Sequence, residues 1–565
     1  MKKLFLFLFV ALQFISTQAQ TPNWLWAQKG EGNYNQNFGS HVATDSSGNS
    51  YVIGTFGGTV GQFGSFTLTG GGAASSDIFI AKYDSSGNCL WAERAGGAGW
   101  DLSYGGGIDI DVAGNCYVTG NFEQTAAFGT FSLTASGTAG TKNVFVAKYN
   151  SSGTCLWVRQ GTSVQNGWSF GVSADNAGNC YIGGWWESSN GTGITFGALT
   201  LTPPGNPSDR EIFIVKYDNS GNETWARRAG GPQTDECHHI DNDSAGNIYL
   251  TGTFRQTAFF GSISVTASGT FGDIFVAKYD ANGNCIWVKQ SFGGGINTSS
   301  SISTDKNGNS FITGNFTSDT LMLDSFSLPP YTGFNFYLAK YDVNGNVMWA
   351  TVPPQTGSIQ SGVDTHPDEA GGCYVAGNFM GSITFGATVL TCAGAASDED
   401  NFIAKYDSPG NVQWVLQGTW ANKSSQCGGI STDASGNVYL SGGFTDTVLF
   451  DTIQLTSVLS NGAMFIAKIG TPQPNSILEN ESNVNIAVYP VPAHDELYIT
   501  TSAKGKAMVE ITDIAGRLVK QEFIELEQNG NSISVRNIPG GIFLLRVAVN
   551  DNNKQLSYIR KIVIQ

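Results

Sequence analysis

The sequence predicts an all-β protein: a seven-bladed β-propeller followed by a small β-sandwich of the immunoglobulin type. Of the 565 residues 73 are glycine, only 13% are charged and 41% are hydrophobic, which indicates short strands joined by many turns rather than disorder or a helical bundle. One phrase recurs seven times at intervals of 62 to 68 residues. In addition, the first strand-like run of the chain supplies a strand that the last repeat lacks.

The amino terminus is predicted to be a secretory signal peptide, residues 1–19. Lys2 and Lys3 precede an apolar run over residues 4–15, and small residues ending in Ala19 follow it. This run is shorter than the ~20 residues that a membrane-spanning helix needs, and no later stretch reaches that length. We therefore expect a mature protein without a transmembrane segment, secreted or at the outer cell surface.

The propeller is predicted over residues 20–470 as repeats of about 64 residues. Each contains a D-x-x-G-N phrase or a close variant, starting at Asp45, Asp111, Asp175, Asp243, Asp305, Asp368 and Asp433. An Asp side chain accepts bonds from the following amides and Gly tolerates a positive φ, so the phrase predicts a hairpin turn between two strands. Calcium loops are the alternative, but the two phrases that begin like D-x-D-x-x-G lack the later acidic ligands.

A lysine also recurs once in each repeat, beside apolar neighbours in the third predicted strand. Catalytic lysines do not occur in sevens, and a partly buried ammonium needs a charged or hydrogen-bonding partner. We expect each lysine to pair with an Asp of a turn.

The two ends of the array predict a closed ring. Six repeats end in a strand centred on a tryptophan, from Trp91 to Trp414, whereas the seventh stops at Ile469 without one. The missing strand matches residues 23–28 at the start of the mature chain. A first strand that completes the last blade removes the exposed edges of an open array.

Two longer phrases carry a family resemblance: D-x-x-G-N-x-Y-x-x-G-x-F and F-[IV]-A-K-Y-D-x-x-G-N-x-x-W. They resemble the SBBP family of bacterial β-propeller repeats over nearly all of residues 21–470. The resemblance implies the architecture and export, and it implies no particular activity because the biochemical role of that family is poorly defined.

After a short linker, residues 471–477, the tail at 478–565 is predicted to form a separate β-sandwich. Its landmarks are V-Y-P-V-P at 488–492, I-T-D-I-A-G-R at 511–517, I-P-G-G-I-F at 538–543 and K-I-V at 561–563. Together these are similar to the C-terminal sorting domain of the type IX secretion system, although Val491 stands where that family usually has Asn. The resemblance implies that the type IX machinery is a partner.

Charge and cysteine placement exclude several functions. The net charge of the whole chain is -16. The propeller accounts for it, because it has 18 basic and 35 acidic residues, a net charge of -17. This sign disfavours nucleic acid, anionic lipid and, unless a local basic pocket overrules it, acidic glycans. Six of the nine cysteines follow turns at equivalent positions that one intervening strand separates, too far apart for a disulfide, and no C-x-x-C pair occurs. No metal or cofactor is expected.

Aromatic residues outside the repeat pattern are the candidate ligand contacts. The loops of one propeller face are predicted to carry Trp100, Tyr104, Trp168, Trp185, Trp186, Glu187 and Trp420. Flat apolar rings suit the faces of sugars, and neighbouring acids and amides can bond hydroxyl groups. Alternatively, these tryptophans pack the central channel or the bases of the loops.

The sequence thus favours an exported, non-catalytic propeller that binds a glycan or an extracellular protein through its loop-rich face. One alternative is a polysaccharide lyase or glycoside hydrolase, with Asp235, Glu236, His238 and His239 as acid–base candidates. Neighbouring strand residues point to opposite faces, so the two histidines share a site only if this segment is irregular. A structural component of a surface layer or adhesive coat is the other alternative.

Overall fold

The structure is a computed structural model that places the chain in two compact units, Met1–Thr471 and Pro472–Gln565. It describes residues 22–73, 75–101, 106–188, 191–204, 209–317, 319–331, 333–356, 360–392, 398–420, 425–457, 462–470, 486–489, 493–501, 505–513, 517–526, 531–551 and 554–564. The predicted signal peptide, the predicted linker and Tyr104 lie outside these residues.

Strands build both units, and the described residues contain no α-helix. The strands of the first unit are β1 (Asn23–Thr44), β2 (Ser50–Phe63), β3 (Phe66–Thr69), β4 (Ser76–Tyr83), β5 (Cys89–Gly97), β6 (Ile108–Ile110), β7 (Cys116–Glu123), β8 (Thr125–Phe128), β9 (Phe131–Thr134), β10 (Lys142–Tyr149), β11 (Cys155–Thr162), β12 (Gly167–Ala174), β13 (Cys180–Glu187), β14 (Ile194–Phe196), β15 (Leu199–Leu201), β16 (Arg210–Tyr217), β17 (Glu223–Ala229), β18 (Glu236–Asn242), β19 (Ile248–Phe254), β20 (Thr257–Phe260), β21 (Ile263–Thr266), β22 (Asp273–Tyr279), β23 (Cys285–Phe292), β24 (Asn297–Thr304), β25 (Ser310–Thr317), β26 (Leu321–Leu323), β27 (Phe326–Leu328), β28 (Phe334–Tyr341), β29 (Val347–Thr351), β30 (Gln360–Pro367), β31 (Cys373–Phe379), β32 (Ser382–Phe385), β33 (Thr388–Thr391), β34 (Asp400–Tyr406), β35 (Val412–Trp420), β36 (Ser425–Thr432), β37 (Val438–Phe444), β38 (Thr447–Phe450), β39 (Ile453–Thr456) and β40 (Ala463–Gly470).

Each repeat folds into antiparallel strands that pair in chain order, apart from one inserted hairpin. In the third repeat β12, β13, β16 and β17 pair in that order, and the hairpin β14–β15 lies between the second and third strands. The order recurs as β24, β25, β28 and β29. The sequence predicted the four strands of a repeat but not the hairpin.

The inserted hairpins join neighbouring repeats. β8 pairs with β5 of the preceding repeat, β14 with β11, β26 with β23 and β38 with β35. Each of these pairings covers part of an outer strand that would otherwise present unpaired backbone groups to solvent.

The amino-terminal strand β1 connects the last repeat with the first. Its first part pairs with β40, from Asn23 opposite Gly470 to Gly30 opposite Met464, and its end pairs with β2. Trp26 Nε1 donates to the carbonyl of Ser85 at 3.0 Å. The tryptophan strands inside the array make the same bond, so β1 takes their place in the last repeat. Among the described residues no sheet closes on itself through strand pairing.

The core of the first unit lies between the sheets of adjacent repeats. One apolar cluster combines Ile78 and Trp91 of the first repeat with Val118 and Phe145 of the second. The other clusters of this unit likewise draw on successive repeats. Each sheet therefore buries its faces against its neighbours rather than within its own repeat, as stacked repeats do.

The D-x-x-G-N phrase forms the predicted turn between the first and second strands. In the second repeat Asp111 Oδ1 accepts the backbone N–H of Ala113 at 3.0 Å and of Asn115 at 2.9 Å. Tyr117 donates its hydroxyl to Oδ2 at 3.1 Å, and Lys148 Nζ lies 3.4 Å from the same oxygen. The carboxylate is thus held by its own turn and by the side chains of Tyr117 and Lys148, as expected for a structural turn residue.

The predicted pairing of lysine with turn aspartate is confirmed in five repeats. The other four pairs are Lys82–Asp45, Lys278–Asp243, Lys405–Asp368 and Lys468–Asp433, at 3.2 to 3.8 Å. Lys216 and Lys340 instead donate to carbonyls of the next repeats, and each of the seven ammonium groups also lies over a Tyr or Phe ring.

All nine cysteines are free thiols. Cys116 and Cys155 lie opposite the same residue, Tyr149, on the two sides of β10. Burial raises the pKa of the Cys116 thiol to about 12, so it stays protonated and acts as a small apolar side chain.

The second unit contains two sheets. Its strands are β41 (Ile486–Tyr489), β42 (Glu496–Thr501), β43 (Gly505–Asp513), β44 (Leu518–Leu526), β45 (Asn531–Ser534), β46 (Gly541–Asp551) and β47 (Lys554–Ile564). One sheet has the order β41-β42-β45 and the other β44-β43-β46-β47, and they share one apolar cluster, as in a β-sandwich. Residues 490–492 and 514–516, parts of two sequence landmarks, lie outside the described residues.

Candidate functional site

The structure separates the predicted ligand contacts into exposed and buried groups. Trp100 is 36% exposed. Trp420 ends strand β35, and its side chain, like all of Tyr104, lies outside the described part of the chain. Trp168, Trp185 and Trp186 lie in strands β12 and β13, so their prediction as loop residues is wrong.

Trp186 is fully buried and offers no surface to a ligand. It occupies the position at which the other repeats have phenylalanine: Phe56, Phe122, Phe254, Phe316, Phe379 and Phe444. Its indole Nε1 donates to the carbonyl of Thr192 at 3.2 Å. The interpretation of this tryptophan as lying outside the repeat pattern is therefore also wrong, because it fills a core position that the repeat requires.

A stack of side chains begins at Trp168 and continues into a charged group. Trp168 lies opposite Trp185 on the neighbouring strand, with ring centroids 4.1 Å apart. The guanidinium carbon of Arg210 lies 4.1 Å from the Trp185 centroid, and Phe170 packs beside the same ring. Trp185 is only 5% exposed, so it supports its neighbours rather than offering a face to a ligand.

The stack ends in an ion pair. Arg210 Nη1 contacts Glu236 Oε1, and the other oxygen of this carboxylate lies 3.1 Å from His238 Nε2. His238 Nδ1 lies 2.6 Å from the carbonyl of Ser299. Burial alone would raise the pKa of Glu236, but the hydrogen bond from His238 and the charge of Arg210 hold it at about 2. The ion pair with Arg210, the hydrogen bond from His238 and the low pKa favour an ionised carboxylate at Glu236 over a proton donor.

A cleft of about 420 Å³ opens beside this ion pair and spans the third, fourth and fifth repeats. Its charged lining residues are Glu187, Arg210, Glu236 and Arg255. Its apolar lining residues Phe271 and Ile296 are 55% and 41% exposed, and the threonine hydroxyls of its wall add hydrogen-bonding groups. The cleft thus combines an open aromatic ring with groups that bond hydroxyls, the arrangement expected for recognition of a polar ligand.

Asp235 does not line the cleft. Its side chain instead holds the backbone of segments that lie beside the cleft. The side chain is fully buried and accepts the N–H of Gly231 at 2.6 Å and of Arg255 at 3.1 Å. Burial raises its pKa to about 8, against the effect of these two bonds. Asp101 accepts the N–H of Gly97 and Glu123 at the equivalent place in the second repeat, which identifies both aspartates as loop supports.

His238 and His239 do not share a site, although strand β18 is irregular between Cys237 and His239. His239 lies in the wall of a second cavity, the central cavity, which has a volume of about 650 Å³. There its ring stacks on the ring of His41, with the two ring centroids 5.4 Å apart. Asp235, Glu236, His238 and His239 are therefore distributed over three environments rather than assembled into one acid–base group.

Polar side chains of this central cavity join neighbouring first strands, which do not pair with one another. Asp109 accepts the N–H of Ala174 at 2.7 Å, and Asp241 accepts that of Thr304 at 2.7 Å. Burial raises the pKa of Asp109 to about 6 and that of Asp241 to about 7. These residues serve as cross-links between repeats. Asp109 and Asp241 stand two residues before the turn aspartates of their repeats, where the other repeats have Ala, Ser or His. This departure from the repeat is visible in the sequence and marks both residues as unusual.

Sequence reasoning also missed Arg210, Arg255 and Phe271. The signal for Arg255 was its position directly after the second strand, where the other repeats have Gly57, Glu123, Glu187, Thr317, Met380 and Thr445. A single arginine among these residues is not required by the fold.

Two family models match parts of the chain. Residues 487–565 match the secretion system C-terminal sorting domain, and residues 224–253 match the β-propeller repeat named SBBP. The chain therefore carries a segment that matches a β-propeller repeat and a C-terminal type IX sorting signal, and it is secreted or located at the outer cell surface. The described residues include no helix that is long and apolar enough to cross a membrane.

Curated relatives match at low identity. An uncharacterized WD repeat-containing protein of Acanthamoeba polyphaga mimivirus is 24% identical over 467 residues, 70% of this chain and 33% of the relative. The regulatory protein FlaEY of Caulobacter vibrioides is 26% identical over 210 residues, 37% of this chain and 21% of the relative. The matched segments thus span a third or less of either relative.

Solved structures align over much of the chain without close superposition. The extracellular domain of a putative hybrid two-component system from B. thetaiotaomicron is 10% identical, covers 97% of this chain and 99% of its own, and has a TM-score of 0.14. Dimeric latent PorU from Porphyromonas gingivalis is 11% identical, covers 63% of this chain and 31% of its own, and has a TM-score of 0.13.

Proposed function

We propose that this exported protein is a seven-bladed propeller over residues 20–470, closed by β1, whose loop face binds a glycan without cleaving it. Closure is supported by contacts between the first strands of successive repeats, which run β1, β6, β12, β18, β24, β30, β36 and return to β1. The bond of Tyr439 to the carbonyl of Gly48, at 2.8 Å, also repeats across these ends the bond of Tyr117 to Gly178.

The cleft beside the Trp168 stack carries the proposal for binding. Phe271 presents an open ring, and the threonine hydroxyls and the carboxylate of Glu187 stand around it. The stack of Trp168, Trp185 and Arg210 fixes one wall before a ligand arrives, so little side-chain entropy is lost on binding. Such a preformed wall suits a weakly interacting, hydroxyl-rich chain.

A catalytic role has less support from the same geometry. Hydrolysis of a glycosidic bond by the usual mechanism needs two carboxyl groups that flank it, one of which donates a proton, and cleavage by a lyase needs a free base beside the sugar. Glu236 is tied to Arg210 and His238, and Asp235 is tied to backbone amides away from the cleft. We therefore propose binding without bond cleavage.

Affinity electrophoresis of the purified chain against neutral and acidic polysaccharides tests binding. We expect retardation by at least one polysaccharide and its loss in Phe271→Ala, because the exposed ring would stack on a sugar. Phe259→Ala is the matched control, since Phe259 is 48% exposed and does not line the cleft.

A reducing-end assay on the same mixtures tests the absence of cleavage. New chain ends would establish an enzyme and contradict the non-catalytic proposal. Retardation that Phe271→Ala leaves unchanged would place the glycan site elsewhere, and no retardation by any polysaccharide would favour a protein partner or a structural role.

A further inference from the structure

Arginine is scarce in the propeller, and five of its six arginines are used by the fold. Each donates to a carboxylate or to backbone carbonyls: Arg94 to Asp77, Arg228 to Glu211, Arg210 to Glu236, Arg159 to Gly221 and Arg227 to Gly283. These side chains hold repeats together or fix the wall of the cleft. Their charges are compensated or their donors occupied.

Arg255 is the exception among the described residues. Its side chain is exposed, lines the cleft and makes neither a hydrogen bond nor an ion pair within 4 Å to any residue that the structure describes. Its charge acts at longer range on Asp209. The backbone of Arg255 is nevertheless fixed, because the buried carboxylate of Asp235 accepts its N–H at 3.1 Å. The structure thus anchors a cation at a cleft, and its guanidinium has no direct partner in the described part of the chain.

We propose that Arg255 binds the carboxylate of an acidic sugar, so that the glycan taken by this cleft is a polysaccharide containing uronic acid residues. The inference rests on the proposed function of the cleft. A guanidinium presents a planar fork of donors that matches a carboxylate in two parallel hydrogen bonds.

The remaining charges of the cleft favour a sugar acid over an acidic peptide. Glu187 and Glu236 line the same space, and their carboxylates can accept hydrogen bonds from sugar hydroxyl groups, which the side chains of an acidic peptide do not supply. A uronic acid residue has one carboxylate and several hydroxyl donors, which carboxylates accept. The exposed ring of Phe271 can cover the apolar face of such a sugar.

The acidity of the propeller does not prevent this contact. Exposed charges farther away than a Debye length, about 8 Å at physiological ionic strength, are largely screened. The charge of a guanidinium in direct contact with the ligand is not screened in this way. A local cation such as Arg255 therefore decides which ligands the cleft selects, despite the net negative charge of the propeller.

The test compares polygalacturonate with neutral xylan on the full chain by affinity electrophoresis and calorimetry. Arg255→Gln should weaken binding of polygalacturonate about 10- to 100-fold, the range for a lost charge-assisted hydrogen bond. Arg255→Lys should retain part of the affinity because it keeps the charge without the fork. Lys306→Gln is the control for net charge, since Lys306 is exposed at the central cavity and away from the cleft.

The outcomes separate this inference from the proposed function. Preferential binding of polygalacturonate that Arg255→Gln reduces, at an unchanged melting temperature, supports both. Equal binding of xylan and polygalacturonate, unaffected by Arg255→Gln, overturns the acidic ligand and leaves the glycan-binding proposal standing. Binding of poly-glutamate in place of either polysaccharide overturns both.

Discussion

At the scale of single residues, the recurring polar groups of this protein are mainly structural. The turn aspartates, the lysines and the tryptophans of each repeat bond to their own or the next repeat. Sequence reasoning predicted the lysine–aspartate pair correctly because the residues recur and a buried ammonium needs a partner. The side chains that distinguish the cleft, such as Arg255, are those that do not recur.

Prediction of the site from sequence was limited because contacts between residues of different strands and loops are not visible in the sequence. Trp168 and Trp185 stood out as unusual aromatic residues, but only the strand register shows that they cover each other. Phe271 and Arg255 stand in different segments of the fourth repeat, and nothing local in the sequence indicates that they line one cleft.

The buried aspartates of the central cavity predict a dependence of stability on pH. The pKa of Asp241 is raised to about 7, first by burial and then by the charge of Asp109, whereas an unfolded Asp has a pKa near 3.8. The native state therefore binds more protons between these values, and the contribution of Asp241 to stability rises as the pH falls from about 7 to 4. His41 acts in the opposite direction, because its pKa is lowered to about 4, mainly by burial.

Asp241→Asn isolates this contribution, because an amide does not titrate. We expect the variant to melt a few degrees above the unmodified protein at pH 8 and the two melting temperatures to converge toward pH 4. Differential scanning calorimetry between pH 4 and 8 measures the difference. A difference that is constant, or that widens at low pH, would contradict the raised pKa.

At the scale of strands, β1 has a double role. Its first part lies beside β40 and its last part opens the first repeat. The buried side chains of Trp24 and Ala27 contribute to the apolar cluster of the last repeat. The offset of the repeats at the two ends allowed this pairing to be predicted from sequence. The inserted hairpins were not predicted, because their strands are only three or four residues long.

Deletion of residues 20–30 should expose the edge of β40 and part of that cluster. We expect a melting temperature lower by 10 °C or more, on the order of several kcal/mol of lost apolar burial, together with self-association through the free edge. A peptide of residues 22–31 added in excess should restore the melting temperature, whereas a peptide of the same composition in scrambled order should not. An unchanged melting temperature in the deletion would show that β1 does not stabilise the last repeat.

At the scale of the whole molecule, the sorting signal and the proposed binding cleft belong to different units. The first unit and the second have separate apolar clusters, and the sorting-domain match lies entirely within the second. The division was predictable from sequence because the repeat stops and a different set of landmarks begins. The proposed blade count and the proposed closure of the ring rest on the number and offset of the repeats in the sequence, whereas no such count indicates the ligand.

A chain that ends at Gly470 should therefore lose export without losing its fold. In a bacterium with a type IX system we expect this truncated protein to remain inside the outer membrane, and the full chain to reach the medium or the cell surface. Purified truncated protein should keep the main melting transition of the full chain. Export of the truncated chain would show that the sorting domain is dispensable.

Hydrogen–deuterium exchange with and without oligogalacturonate tests the central claim most directly, because it locates the bound ligand without any substitution. The account predicts protection at the cleft, in the segments around residues 234–236, 253–255, 268–272 and 296–298, with no change around the central cavity at 303–307 and 366–371. Protection at the central cavity, or in the sorting domain alone, would contradict a glycan site on the loop face.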